Sequence, residues 1–221
     1  MTGSQSEGRR RTKRGEETRQ RIIEACIDCL RESGYAGTSV EAIMAKAGIS
    51  RGSVLNQFPT RLDLMTATVD TAVRTLVDDA QARLEAYEDP VDKLRAMYDV
   101  FWTNQNIPEG VVLTELLLAA RWDTDLADLM NRQLPAFEIE FDGSTRAAAI
   151  AAGARDPEAC VLRARMLILA LRGITLELMF NQDREIILRA LKEIGLLYQN
   201  FCDYMLGVTD MHVTPAARGQ A

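Results

Sequence analysis

The stretch AKAGISRGSVLNQF, residues 45–58, decides how this chain is read. Two short helical patterns meet there at a small–Gly–apolar–Ser step. Ala47 is small where two helices would cross, and Gly48 can take the left-handed conformation of a tight turn. Ile49 plugs the gap between the helices, and Ser50 can accept the free amides that open the next one. Val54, Leu55 and Phe58 can then pack back, while Arg51, Gly52, Ser53, Asn56 and Gln57 face outward. An outward face of short or hydrogen-bonding side chains suits a helix entering the major groove, where its first residues meet base edges. A purely structural helix pair around a Gly turn is the alternative, and the surrounding sequence decides between them.

Upstream, Ile22, Ile23, Cys26, Ile27, Cys29 and Leu30 form the apolar face of a first helix over about 16–32, which Gly34 stops. Thr38 and Glu41 have the T-x-x-E spacing of a capping box, opening a second helix with Val40, Ile43, Met44 and Ala47 inward. Pro59 ends the third helix, and Thr60 with Asp63 begins the fourth. Three helices around a tight turn make a helix-turn-helix over 15–62. Longer helices are expected over about 61–87, 91–105, 110–121, 124–152, 157–181 (opened by Pro157) and 184–206 (stopped by Gly207). Strand-like alternation and internal repeats are absent. The expected fold is all-α with about nine helices: the helix-turn-helix domain, then a larger helical domain over 63–207. Residues 1–14 read as a disordered basic arm and 208–221 as a tail.

The net charge of −6 alone argues against a polyanionic partner, but its distribution argues for one. Residues 1–61 hold eleven Lys and Arg against seven Asp and Glu; the remainder holds fifteen against twenty-five. A basic front on an acidic body points the front at DNA. With the T-x-x-E box and the polar third helix, this favours DNA reading over a structural turn. In the arm, Arg9, Arg10, Arg11, Lys13 and Arg14 would release counterions from a duplex or enter a flanking minor groove.

Enzyme chemistry is poorly served. The one histidine, His212, lies in the tail, and neither a phosphate-cradling Gly loop nor a metal-ligand cluster appears. No catalytic residue, metal or cofactor is expected. The four cysteines read as small buried apolar residues. The leader MTGSQSEGRRRTKRGEE has no apolar segment, and the longest apolar run, 166–180, is too short for a membrane span and carries Arg172 and Glu177. A cytoplasmic protein without a membrane partner is expected.

Residues 18–64 resemble the DNA-binding domain of TetR-family transcriptional regulators. The G-Y-x-x-T-S-V-x-x-I segment from Gly34, the A-G-I-S turn and the F-x-T-R-x-D-L exit from Phe58 match position by position. The resemblance implies a double-stranded DNA operator read by Ser50, Arg51, Gly52, Ser53 and Asn56, with backbone contacts from Thr38, Gln57 and Arg61. Four positions depart from the family pattern. Leu55 and Gln57 replace an aromatic pair whose first tyrosine commonly touches a phosphate, Arg61 stands for the usual Lys, and Met44 for the commoner Ala.

The resemblance also implies a homodimer and a small-molecule effector. The last two long helices are broadly apolar, and Ile187, Leu191, Ile194, Tyr198, Phe201 and Met205 are the expected dimer residues. Met97, Tyr98, Phe101, Trp102, Met130, Phe137, Met166 and Met179 are candidate lining of an adaptable apolar cavity. Arg172, Asn104 and Glu115 are candidate polar anchors, whereas Arg121 reads better as a surface ion-pair residue. The expected function is a ligand-released repressor bound to a palindromic operator. A regulator without a small ligand, or a helical protein-interaction module, is the alternative.

Overall fold

The computed structural model describes residues 3–209, with side chains from Lys13 onward. Met1, Thr2, the tail from Asp210 and the side chains of Arg9, Arg10 and Arg11 lie outside the described residues. Among those described there are nine helices and no strand: α1 (Gly3–Gly37), α2 (Val40–Ala47), α3 (Arg51–Gln57), α4 (Arg61–Glu85), α5 (Pro90–Asn106), α6 (Pro108–Ala119), α7 (Thr124–Ala151), α8 (Pro157–Phe180) and α9 (Glu185–Met205). The all-α reading therefore holds. None of these helices is long and apolar enough to cross a membrane.

Helix α1 departs from expectation at its start. It begins at Gly3, not near Glu16, so residues 3–14 are helical where the sequence suggested disorder. No proline interrupts the segment, and Arg, Lys, Glu and Gln are good helix formers. Its break falls at Gly34, whose φ of 67° and ψ of 177° suit only glycine.

The described residues pack as two compact units, one of residues 3–80 and 104–139, the other of 81–103 and 140–209. In the first, α1 packs against α2, α3 and α6. Ile22, Leu30, Ile43, Val54, Phe58, Leu64 and Leu116 are buried in one core with Leu126 and Leu129 from the start of α7. Each such side chain removed from water contributes roughly 1.5–3 kcal/mol. The helix-turn-helix is thus not a free-standing module over 15–62, because α6 and early α7 complete its core.

In the second unit α8 packs along α9, with Leu94, Met97, Phe101, Leu167, Leu171, Tyr198, Cys202 and Met205 buried. Here α8 opens as expected, with Pro157 in its first turn and Asp156 accepting the Ala159 amide at 3.0 Å. All four cysteines are free and buried. Burial pushes the Cys26 thiol up to about 11 and the Cys202 thiol up to about 12.

Candidate nucleic-acid interface

The turn forms as its residues require. Gly48 adopts φ 63° and ψ 39° and donates its N–H to the Met44 carbonyl, closing α2. Arg21 of α1 donates to the Ala47 carbonyl at 2.7 Å, a second partner for the same helix end. Ser50 caps α3, its hydroxyl accepting the Ser53 amide at 3.3 Å and lying 3.0 Å from the Ser53 hydroxyl. Val54 and Phe58 anchor α3 in the core, and Arg19 lies 4.4 Å over the Phe58 ring.

What remains outward on α3 is Arg51, Gly52, Leu55 and Asn56, all exposed, with Ser53 and Gln57 half-buried. No atom lies within 4 Å of where a Cβ on Gly52 would sit, so a partner's backbone can approach closely there. Leu55, expected to pack inward, is exposed at the position where a phosphate-touching tyrosine would stand. Between α1 and α3 lies a notch of about 310 Å³ lined by Arg14, Gly15, Thr18, Ser53, Asn56 and Gln57. Every one of these except Gly15 carries a hydrogen-bonding group, and Arg14 is cationic.

Two expected backbone contacts take other roles. Thr38 is buried, and its hydroxyl donates to the Gly34 carbonyl at 2.8 Å. The cap of α2 is instead Ser39, which accepts the Ala42 amide at 3.1 Å, so the T-x-x-E box does not form. Glu41 faces Arg51 at 3.0 Å. Arg61 lies 4.1 Å over the Tyr35 ring and donates from Nη1 to the Tyr35 hydroxyl at 2.6 Å and from Nη2 to the Tyr35 carbonyl at 3.1 Å. It clamps the α1–α2 connection to the start of α4, and that contact engages much of its fork.

The Tyr35 hydroxyl in turn donates to Asp123 Oδ2 at 2.6 Å, and the Tyr35 amide donates to Glu115 Oε1 at 2.7 Å. Asp123 also accepts the Leu126 amide at 3.0 Å, opening α7. These bonds hold the Asp123 carboxyl below its ordinary value, the Tyr35 hydroxyl being the larger cause. Burial, followed by the Asp123 partner, raises the Tyr35 phenol. Glu115 is therefore a brace on the reading head. Sequence reading missed this latch because its members stand up to 88 residues apart.

Thr60 and Asp63 do open α4 as read. Asp63 Oδ2 accepts the Thr60 amide at 3.0 Å, and the Thr60 hydroxyl accepts the Asp63 amide at 3.1 Å.

The residues expected to hold a ligand or a partner chain scatter. Met130 belongs to the first unit's core, and Phe137 packs against it. Met97 and Phe101 are buried in the second unit, where Phe101 sits 5.4 Å from the Phe141 ring. Tyr98 donates to the Leu191 carbonyl at 2.9 Å, while Trp102 and Arg172 are half-buried. Met166 and Met179, expected in the cavity lining, are both exposed on α8, where a run apolar on all sides concealed which side faces out. The Asn104 side-chain amide donates to the Leu76 carbonyl at 2.7 Å. Arg121 is exposed beside the Trp122 ring, its guanidinium 5.0 Å from the ring centroid.

A groove of about 460 Å³ lies beside Phe58, Asp63 and Gln133, and none of the nine predicted ligand residues lines it. On α9, Tyr198 and Met205, expected at the dimer interface, are instead buried within their own chain. The Tyr198 hydroxyl donates to the Leu94 carbonyl at 3.0 Å. Ile187, Leu191, Ile194 and Phe201 are half-buried. Exposed apolar residues include Leu162, Met166 and Leu169 on α8 with Ile186, Leu196 and Leu197 on α9.

The sequence profile described as "Bacterial regulatory proteins, tetR family" matches residues 22–68, the core of this head and the start of α4. The HTH-type transcriptional regulator CymR of Pseudomonas putida is 25% identical over 181 residues, covering 80% of this chain and 87% of its own. An uncharacterised HTH-type regulator of Mycobacterium bovis is 30% identical over 145 residues, 63% of this chain and 71% of its own. A TetR regulator from Chloroflexus aurantiacus superposes with a TM-score of 0.69 at 24% identity, covering 85% of this chain and 96% of its own.

Two similar folds were solved with small molecules. A putative regulator from Saccharomonospora viridis holds choline (TM-score 0.65, 16% identity, 86% of this chain and 97% of its own). FadR from Bacillus subtilis holds stearoyl-CoA (0.62, 15%, 81% and 96%). With its helix-turn-helix formed residue by residue and relatives sharing most of its length, the chain belongs to the TetR family of DNA-binding transcriptional regulators.

Proposed function

We propose that this regulator is a repressor that binds a palindromic operator as a homodimer and leaves it when a small, mostly apolar ligand binds. The observation that carries the DNA half is the division of labour on α3. Val54 and the C-cap residue Phe58 are locked in the core while Arg51, Gly52 and Asn56 stand exposed on the same seven-residue helix as Val54. Such a helix is held rigidly enough to place side chains against base edges. Ser50 and Ser53 flank the reading residues, and Gln57 and Arg14 line the notch beside them, placed for backbone phosphates.

The dimer reading rests on Leu162, Met166, Leu169, Leu196 and Leu197. Exposed apolar side chains on two helices that pack together suit a face covered by a partner. Ile187, Leu191, Ile194 and Phe201 would contribute only at its edge. The ligand reading is supported by the choline and stearoyl-CoA complexes of similar folds. Met97, Tyr98, Phe101, Trp102 and Arg172 are the residues proposed to approach the ligand. Binding can release DNA only to the extent that it favours one conformation, and DNA must weaken the ligand by the same factor, typically about 5–150-fold.

Selection of bound sequences from random DNA tests the first half: a palindrome with two half-sites is expected, and Arg51→Ala or Asn56→Ala should relax preference at one base pair in each. Selection without any enriched sequence would reject the reading. Tryptophan quenching, followed by operator titration with each hit, tests the second half. A ligand bound in the second unit that leaves operator affinity unchanged would reject the coupling for that ligand.

A further inference from the structure

We propose that Glu41 is a positioning residue that aims Arg51, and that the pair reads a guanine in each half-site. The inference rests on α3 being the base-reading helix. Arg51 Nη1 lies 3.0 Å from Glu41 Oε1, and both side chains are 65% exposed. An ion pair this exposed contributes little to folding. Nor does the fold need it, because α2 and α3 are already joined through Ile43, Ala47, Val54 and Phe58 in the core. A carboxylate beside a DNA-reading arginine also repels phosphates, so a role in affinity is ruled against by its sign. What the carboxylate does supply is direction.

Arginine carries a planar fork on a long flexible stem and loses much of its freedom when it docks. Left alone it would also settle on the nearest phosphates, which carry no sequence information. Glu41 occupies Nη1 only. The Nε–Nη2 edge is left with two parallel donors and no other protein partner among the described residues. Guanine is the base that offers two acceptors, O6 and N7, side by side in the major groove; adenine replaces one of them with a donor. A fork held by one corner from α2 and free along its other edge is matched to that pair.

The test is binding of the full chain to its selected operator and to variants carrying each base at each position, at one salt concentration. Four proteins are compared: wild type, Arg51→Ala, Glu41→Gln and Glu41→Asp. The expected wild-type pattern has one guanine per half-site whose preference Arg51→Ala abolishes. Glu41→Gln should reduce that preference by at least about fivefold, the low end of what a bidentate arginine–guanine pair supplies. At the same time it should tighten binding to unrelated DNA, because a negative charge leaves the surface. Glu41→Asp should recover part of the preference. Thermal melting shows whether the variants fold, and an exposed pair predicts unchanged curves.

Glu41→Gln tightening every sequence by one common factor with the guanine preference intact would overturn the positioning role. Arg51→Ala removing a preference for some other base would overturn the guanine assignment. Arg51→Ala leaving every base preference intact would instead overturn α3 as the reading helix.

Discussion

Replacing Tyr35 by Phe should loosen the clamp on the reading head, and the structure sets the size of the effect. The change removes one oxygen that donates to Asp123 Oδ2 and accepts from Arg61 Nη1, each at 2.6 Å. A hydrogen bond to a charged group contributes about 1.5–3 kcal/mol net. Tyr35 is half-buried, so water replaces part of both bonds, and a loss of about 2–3 kcal/mol is expected for the pair. The stacking of Arg61 on the ring survives in Phe.

Urea unfolding followed by Trp122 fluorescence in a Trp102→Phe background reads the unit that holds the latch. Asp123→Ala costs more than the shared bond, because Asp123 also caps α7 through the Leu126 amide. A double-mutant cycle removes that extra term, and a coupling of about 1.5–3 kcal/mol is expected between Tyr35 and Asp123. The Asp123 carboxyl is held below its ordinary value of 3.8, so its contribution is present above that pH in full. It is lost as pH falls through the lower value of the folded state, so the coupling should fade on acidification, and at the alkaline end only when the raised Tyr35 phenol ionises and can no longer donate. A coupling below about 0.5 kcal/mol at neutral pH would refute the latch.

Two further outcomes separate surface from core. Leu169→Asp, at a position 65% exposed, should leave a folded chain that light scattering finds as a monomer, whereas Leu171→Asp, at 0%, should unfold it by burying an unpaired charge. An unchanged dimer in Leu169→Asp would move the interface elsewhere. Gly110→Ala should destabilise by upward of about 3 kcal/mol, read as a lower melting temperature, because its Cβ would meet the Asn104 carbonyl oxygen at 1.9 Å; an unshifted melt would show that the α5–α6 corner yields.

The head was legible because its rules are local. Gly48, Ser50, Pro59 and the Thr60–Asp63 pair act on neighbours within four residues, and a single pass along the chain finds them. The α2 cap was misplaced by one residue because Thr38 and Ser39 are both competent hydroxyls. Which of them caps depends on the Gly34 carbonyl already holding Thr38. Arg61 looked like a free cation because Tyr35 stands 26 residues away. On α9 a wide apolar stripe could not say which residues face inward. Tyr198 is settled by the Leu94 carbonyl, 104 residues upstream. The α8 run hid its outward methionines for a related reason: a helix apolar all round carries no periodic signal of which side a neighbour covers.

The four buried cysteines leave this regulator with a surface blank to thiol chemistry. One new cysteine at an exposed site, such as Ala45→Cys on α2, would then be a unique point of attachment for a spin label. An assembled pair of chains would carry two such labels, and dipolar spectroscopy would return the distribution of distances between the two heads in frozen solution. Two peaks before any effector is added would mean that the heads already exchange between spacings, and that a ligand selects one; a single peak that moves on ligand addition would mean that the second spacing is reached only with the ligand in place.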